Sequence, residues 1–444
     1  MKTLLIALSL IAACAPAHAS EPDSTYIDHN VRIHLSRTSP EVKKTLEQTR
    51  PVEPQSVSVP NFVIKSTNDK FIMAIGGHVN PIVGYDIGND LYEVDGAGLG
   101  FVTSAIPVPA EKGRKSDYFI NPLNAQLDFQ IVGLAGTPNA ITAYIKIGTN
   151  NNSPAIKLKR AYISYRGFTG GQVATLMQDG DACQPPTIDP QGPCGMVSTT
   201  AYELNYKSPD YNGFRWAIGL DMPSYYASSG YYQGHDYPKY RGEQVTTVQN
   251  VEQMTPDIPA WVQYGTATGN RIRFSAMLRN FTYRDLLQDK VRHIAGYGVM
   301  LSGNLVPCKA VTLYLQAAYG RGFGAYLQDI AGQPLSFVPS DSKPGYMQAS
   351  PMMGINIGAS FNFAKRWQIN IMGSESRIWK VSDYCTAKDA PANYKYALYG
   401  AANVFYNITS YLQWGLEYVW GRRMTWDIGG ANDSRIQTQI MFTI

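Results

Sequence analysis

From about Lys70 to Ile444 the chain alternates apolar and polar residues segment after segment, and this beat limits the fold more than any other feature. Leu412, Trp414, Leu416, Tyr418 and Trp420 are oily or aromatic. The residues between and after them, Gln413, Gly415, Glu417, Val419 and Gly421, are small or polar with one exception. A period of two makes a strand with one apolar and one polar face. A soluble sandwich would have to cover the apolar faces with a second layer. A closed barrel in lipid needs no cover, because lipid wets the outside and water the inside. The expectation is an all-β chain, a transmembrane antiparallel β-barrel of about sixteen strands.

The alternating segments fall near 70–86, 118–132, 139–149, 157–167, 171–178, 198–208, 213–222, 258–267, 270–284, 290–304, 310–327, 350–363, 366–380, 394–408, 411–426 and 434–444. Their connections alternate between short and long. The long ones lie near 87–117, 179–197, 223–257, 328–349 and 381–393, and two shorter connections, near 150–156 and 285–289, fall on the same side. Short periplasmic turns and long external loops are the rule for bacterial barrels. Trp367 and Trp379 share a parity and stand about 30 Å apart along a tilted strand, the spacing of two aromatic belts. Glu375 and Arg377 share that lipid-facing parity, which places them at the headgroups or calls for a bulge. The last strand carries Ile436, Ile440, Phe442 and Ile444 on one face, suited to recognition by the barrel-assembly machinery.

Residues 1–19 read as a secretory signal: Lys2, an apolar run Leu4–Ala13, and Ala17-His18-Ala19 before Ser20. Ile11-Ala12-Ala13-Cys14 also fits a lipoprotein box, which would leave a lipidated Cys14. Residues 20–69 show no strand beat and read as a periplasmic segment. Ser39-Pro40-Glu41 starts a short helix reaching about Gln48, and Pro51, Pro54 and Pro60 stiffen a linker. Residues 70–444 form the barrel. Mean hydropathy is −0.21, a poor guide where half of each strand faces water; the 30 tyrosines and 7 tryptophans suit the membrane boundary better. Net charge is +4, too small to imply a nucleic-acid partner.

Parity assigns the lumen. Arg160, Arg166, Arg215, Arg271, Arg273, Arg279 and Arg435 point inward, against the acids Asp128, Glu203, Asp221 and Glu417. A ladder of arginines in a narrow aqueous path favours anions, and guanidinium grips carboxylates in a fork. Charged lumen residues also pair across a wall simply to stay satisfied. The loop Gln178–Val197 carries Asp179, Asp181 and Asp189, and an exported chain meets an oxidising space, so Cys183 and Cys194 are expected to form a disulfide that staples it. The loop then either folds into the barrel and narrows it or stands outside as a stiffened surface loop.

In this region Gly171-Gln172-Val173-Ala174-Thr175-Leu176-Met177-Gln178-Asp179, then Thr187-Ile188-Asp189-Pro190-Gln191-Gly192-Pro193, after the strand Lys159-Arg160-Ala161-Tyr162-Ile163, resembles the constriction-loop region of DcaP-like trimeric outer-membrane porins. The resemblance implies a sixteen-stranded homotrimer in outer-membrane lipid that passes small anionic solutes such as dicarboxylates. The chain lacks the longer N-terminal coiled coil that members of that family often carry, and the cysteine pair is not part of its pattern.

Catalytic chemistry is missing. His29 and His34 precede the barrel, His78 has no paired Ser/Asp signature, His235 sits among tyrosines in an external loop, and His293 follows Arg292 near a strand start. No zinc spacing occurs and no EF-hand, so neither metal nor cofactor is expected. A second reading is surface binding, carried by Tyr225, Tyr226, Tyr231, Tyr232, Tyr237 and Tyr240 in loop 223–257, since tyrosine offers stacking and a hydroxyl together.

Overall fold

The computed structural model describes residues 27–28, 31–34, 46, 62–66, 70–91, 99–108, 116–122, 124–150, 153–182, 184–223, 247–251, 253, 255–331, 335–382 and 394–443. The expected signal segment lies outside them.

Sixteen antiparallel strands close on themselves. They are β1 (Phe71–Val79 and Ile82–Ile87), β2 (Asp117–Asn121 and Ala125–Gly133), β3 (Ile141–Asn150), β4 (Ser153–Tyr165), β5 (Phe168–Ala174), β6 (Thr200–Lys207), β7 (Phe214–Pro223), β8 (Ile258–Gly265), β9 (Arg271–Asp285), β10 (Lys290–Cys308), β11 (Val311–Arg321), β12 (Pro351–Phe363), β13 (Trp367–Ile378), β14 (Tyr396–Asn407), β15 (Leu412–Met424) and β16 (Gly430–Thr443). β1 breaks at Asn80-Pro81, where proline offers no N–H to the ladder. Asn80 instead donates its N–H to Asn124 O at 2.8 Å and its side-chain amide to Gln439 Oε1 at 2.8 Å.

Closure runs from β16 to β1, with Ser434 opposite Ile87 through Gln439 opposite Ile82, and Thr443 opposite His78. Beyond that point the same edge of β1 is taken by Phe62–Ser66, whose Phe62 faces Ile75. Val31–His34 and Ile27–Asp28 extend this small sheet. Residues 20–69 therefore contribute three strands where the sequence shows none. Backbone pairing at a sheet edge leaves no two-faced pattern for a sequence reading to find. Of the expected helix only Leu46 is described; it is helical and buried against Val63, Ile72, Ala74 and Val132.

The alternation lands as expected. Ile272, Phe274 and Leu278 of β9 and Ile163 of β4 are exposed on the outside, while Ser275 and Met277 are buried inside. β5 differs: it runs Phe168–Ala174 and ends before Thr175–Gln178, which leave the wall. The interior on the β9–β16 side is filled. Phe101 and Ile106 from the loop after β1, Met177 and Val197 from the loop after β5, and Tyr326, Leu327 and Val338 from the loop after β11 form one apolar cluster with Met300, Met352 and Tyr399 of the wall.

Candidate functional site

One inward row of polar side chains crosses half the barrel. Register places Arg215 (β7) beside Gln263 (β8), then Arg273 (β9), Ser302 (β10), Gln316 (β11), Asn356 (β12) and Ser374 (β13). A second row joins Asn370 (β13), Asn403 (β14), Glu417 (β15) and Gln437 (β16). Buried polar groups need partners, and the segment 175–199 supplies them.

This segment lies inside the barrel along both rows. Its start is tied to Thr175, whose hydroxyl donates to Asp221, and to Leu176, whose N–H donates to Glu203 Oε2 at 3.0 Å. Asp179 is completely buried; Ser302 donates to it at 2.6 Å and Arg271 pairs with it at 2.7 Å, with Arg273 at 3.6 Å. Arg271 also reaches Asp181 at 3.3 Å. Arg273 donates to Gln263 Oε1 at 2.9 Å and 2.7 Å and lies 4.4 Å over the Trp261 ring. Further along, Glu417 accepts from Thr187 Oγ1 at 2.5 Å, Ile188 N–H at 3.0 Å, Asp189 N–H at 2.8 Å and Asn403 at 2.7 Å. The N–H of Gly195 donates to Ser374 Oγ at 2.8 Å and that of Val197 to Gln316 Oε1 at 2.8 Å. Gly195 needs to be glycine: a Cβ there would stand 2.2 Å from Glu375 O and 2.7 Å from Ile355 N.

Asp189 joins two loops. It accepts from Phe101 N–H at 2.8 Å, Gln191 N–H at 3.0 Å and Tyr399 OH at 3.0 Å. Burial and the neighbouring Glu417 push its carboxyl up to about 6. For Asp179 burial acts upward too, but Arg273, Arg271 and the Ser302 hydroxyl overcome it and hold the carboxyl below its usual range. For Asp181 burial wins and raises it, with Arg271, Arg273 and Arg215 pulling the other way.

The arginines expected in the lumen therefore divide. Arg271 and Arg273 meet the loop at the waist, and Arg215 stands half-buried at the end of the first row, near enough to act on Asp181. Arg279 is buried, paired with Asp257 at 3.0 Å and capped by Tyr326 and Phe337. Arg435 is buried too, forked onto Asp86 at 2.5 Å and 3.0 Å, with its remaining nitrogen on Leu99 O at 2.7 Å. Arg279 is enclosed by the loop after β11, whereas Arg435 is neutralised across the β16–β1 seam by Asp86 of the wall and covered by the loop after β1. Glu203 and Glu417 act as anchors of the inner loop, and Asp128 is buried opposite Lys146. Arg160 is half-buried opposite Lys146, and its guanidinium donates to Thr200 Oγ1.

Two expectations are corrected. Arg166 does not line the lumen. It has φ 49° and Gly167 φ 87°, which makes the pair the two-residue primed turn between Tyr165 and Phe168, and its exposed guanidinium bonds Asn139. The expected Cys183–Cys194 bridge is not formed: Cys194 is a free thiol, buried 3.5 Å from Ser374 Oγ and 3.6 Å from Ala397 O. Burial and Asp329 push this thiol up to about 12. Hydrogen bonds to the wall, rather than a staple, hold the loop. Cys183 lies outside the described residues.

Sequence reasoning missed Lys146, Lys159 and Lys207. Lys207 is exposed and shares the inward register of Ala217. Pairing shifts by one residue between Lys146 opposite Arg160 and Ile147 opposite Leu158, a β-bulge that leaves Lys159 as the extra residue. Its chain lies over the inward Gly148, with Cε 3.0 Å from the position of a Cβ there. Strict parity cannot see a bulge. The signal that was available is the single polar residue at equivalent depth in strand after strand, Gln263, Ser302, Gln316, Asn356 and Ser374.

No family model matches the sequence, and no curated protein matches it. Solved structures do match in fold. The outer membrane channel DcaP of Acinetobacter baumannii superposes with a TM-score of 0.66 at 16% identity, over 86% of this chain and 99% of that one. The anion-selective porin of Comamonas acidovorans gives 0.52 at 10% identity over 84% and 100%. OmpF of Salmonella typhi, in complex with daunomycin, gives 0.51 at 11% over 85% and 99%. The fold of this chain is thus the closed sixteen-stranded barrel of the DcaP channel, whose family its loop residues resemble.

Proposed function

We propose that the protein is an outer-membrane porin, exported by its N-terminal signal, assembled as a homotrimer, and passing small hydrophilic solutes with a preference for anions of the carboxylate type. The observation that carries this reading is the segment 175–199 docked across the lumen of a sixteen-stranded barrel beside Arg215, Lys207, Arg271 and Arg273. Three carboxylates, Asp179, Asp181 and Glu203, the last acting on Lys207, face these four cations, which leaves a local excess of +1. In a narrow path such an excess lowers the barrier for anions and raises it for cations. Guanidinium groups already held by neighbours lose little freedom on meeting a carboxylate. The fold likeness to a named outer membrane channel and to a named anion-selective porin supports the reading.

The test is the reversal potential of the purified protein in a planar bilayer under a KCl gradient. Stepwise conductance with chloride preferred over potassium is expected. Cation preference would overturn the basic waist, and the absence of any conductance would overturn the porin. The tyrosines of loop 223–257 that would carry surface binding lie outside the described residues.

A further inference from the structure

On the lipid side of the barrel, where apolar residues belong, three arginines stand in an arc across β11 to β15. Register gives their places. One outward row runs Tyr319 (β11), Met353 (β12), Arg377 (β13), Tyr396 (β14) and Met424 (β15). Arg321 is one pleat step further toward the long loops on β11, and Arg422 is one step back on β15, opposite Leu398. Each arginine is two strands from the next, about 9–10 Å of lateral spacing. Their depth is marked by aromatic residues: Trp379 packs edge-on against Tyr319 at 6.0 Å, and Arg377 lies 4.8 Å over the Tyr396 ring. By the rule that long loops face outward, this is the external belt.

The charges are poorly balanced. Arg377 pairs with Glu375 at 2.7 Å. Arg422 has a buried Nε with no hydrogen-bond partner among the described residues. Arg321 is exposed, and among the described residues nothing bonds its guanidinium. Among the described residues Glu375 is the one acid paired with these three cations, which gives the arc +2. A guanidinium at this depth costs free energy unless an anion meets it, and phosphate meets it best, in a two-pronged hydrogen bond. Below the arc the outward positions Gly373 and Gly400 leave open space, with the nearest atoms 4.0 Å and 3.9 Å from where a Cβ would be. That is a shallow floor suited to an acyl chain.

We propose that Arg321, Arg377 and Arg422 form a binding site for phosphate-bearing lipid of the outer leaflet, with the headgroup phosphates on the guanidinium groups and an acyl chain over Gly373 and Gly400. The site depends on the barrel spanning the outer membrane and not on the ion preference of the pore.

The test uses the full-length purified protein in detergent and fluorescent lipid A in two forms, phosphorylated and dephosphorylated, read by anisotropy. The native protein should bind the phosphorylated form about tenfold or more tightly than the other, the effect of one strong charge-assisted contact. The triple variant Arg321→Gln, Arg377→Gln, Arg422→Gln should lose that discrimination, with conductance and elution volume unchanged. Equal binding of the two lipids by the native protein overturns the site without recourse to any variant. So does full discrimination in the triple variant. A variant that falls to a smaller assembly while still preferring phosphorylated lipid would make this face a contact between copies of the chain, and would overturn the lipid site too.

Discussion

Arg215 offers the cleanest perturbation of the waist. Its neighbours Arg271 and Arg273 hold the inner loop through Asp179 and Asp181, so removing either changes charge and structure together. No ion pair or hydrogen bond engages Arg215 among the described residues, and its Nε is unpartnered. Arg215→Gln therefore removes one positive charge and leaves the loop anchors in place. For an ion passing about 7 Å away in water, a unit charge contributes about 0.6 kcal/mol. At 0.1 M salt, screening over a Debye length of about 10 Å halves this. The loss acts in opposite directions on chloride and potassium, so their permeability ratio should fall about threefold at 0.1 M. At 1 M the Debye length is about 3 Å and the difference should vanish. Reversal potentials at both salt levels give the answer. An unchanged ratio at 0.1 M would refute the placement of Arg215 on the ion path. A shift that persists at 1 M would mean that the substitution altered the pore's shape rather than its field.

Asp179→Asn leaves Arg271 and Arg273 facing each other without their shared carboxylate; breaking such a buried pair costs about 3–5 kcal/mol, and single-channel records should show a larger, noisier conductance as the loop leaves the wall. Asp189 has a folded-state value raised to about 6, so its contribution is complete below its unfolded value near 3.9 and is lost as pH rises through 6. Hydrogen exchange of the amides of Ile188, Asp189 and Phe101, corrected for intrinsic rate, should be faster at pH 8 than at pH 5, and Asp189→Asn should remove the difference. Cys194, buried with its thiol pushed up to about 12, should resist maleimide in the native protein and react after unfolding, whereas the exposed Cys308 labels at once. Protection of Cys194 that disappears on adding a reductant under native conditions would restore the disulfide.

Much of the fold was written in the chain's alternation. Strand positions, the lipid face of β9 and β15, and the parity of long and short connections all follow from a two-residue repeat that lipid outside and water inside impose on every strand. Glu375 and Arg377, anomalies on a lipid face, were legible from the same parity, and their belt position explains them. The failures share one cause. Arg166 reads as inward by counting, but the count runs past the end of its strand into a primed turn. Arg279 and Arg435 do point inward, as counted, yet the external loops 322–350 and 99–108 reach down and bury them, and parity carries no information about what a distant loop covers. Lys159 was hidden by a bulge, which shifts register without changing composition. Cys183 and Cys194 looked paired because both sit in one loop of an exported chain; the tertiary structure instead directs Cys194 at Ser374 on the opposite wall, 180 positions away.

The sequence by itself determined the barrel, because one-dimensional alternation is the direct record of a wall between two solvents. Only the tertiary structure decided which charges remain available at the waist. That depends on where segment 175–199 lies and which partners Asp179, Asp189 and Glu417 find across the lumen. Those contacts join residues from about 90 to 230 positions apart, and their energies are set by burial and geometry rather than by any local pattern.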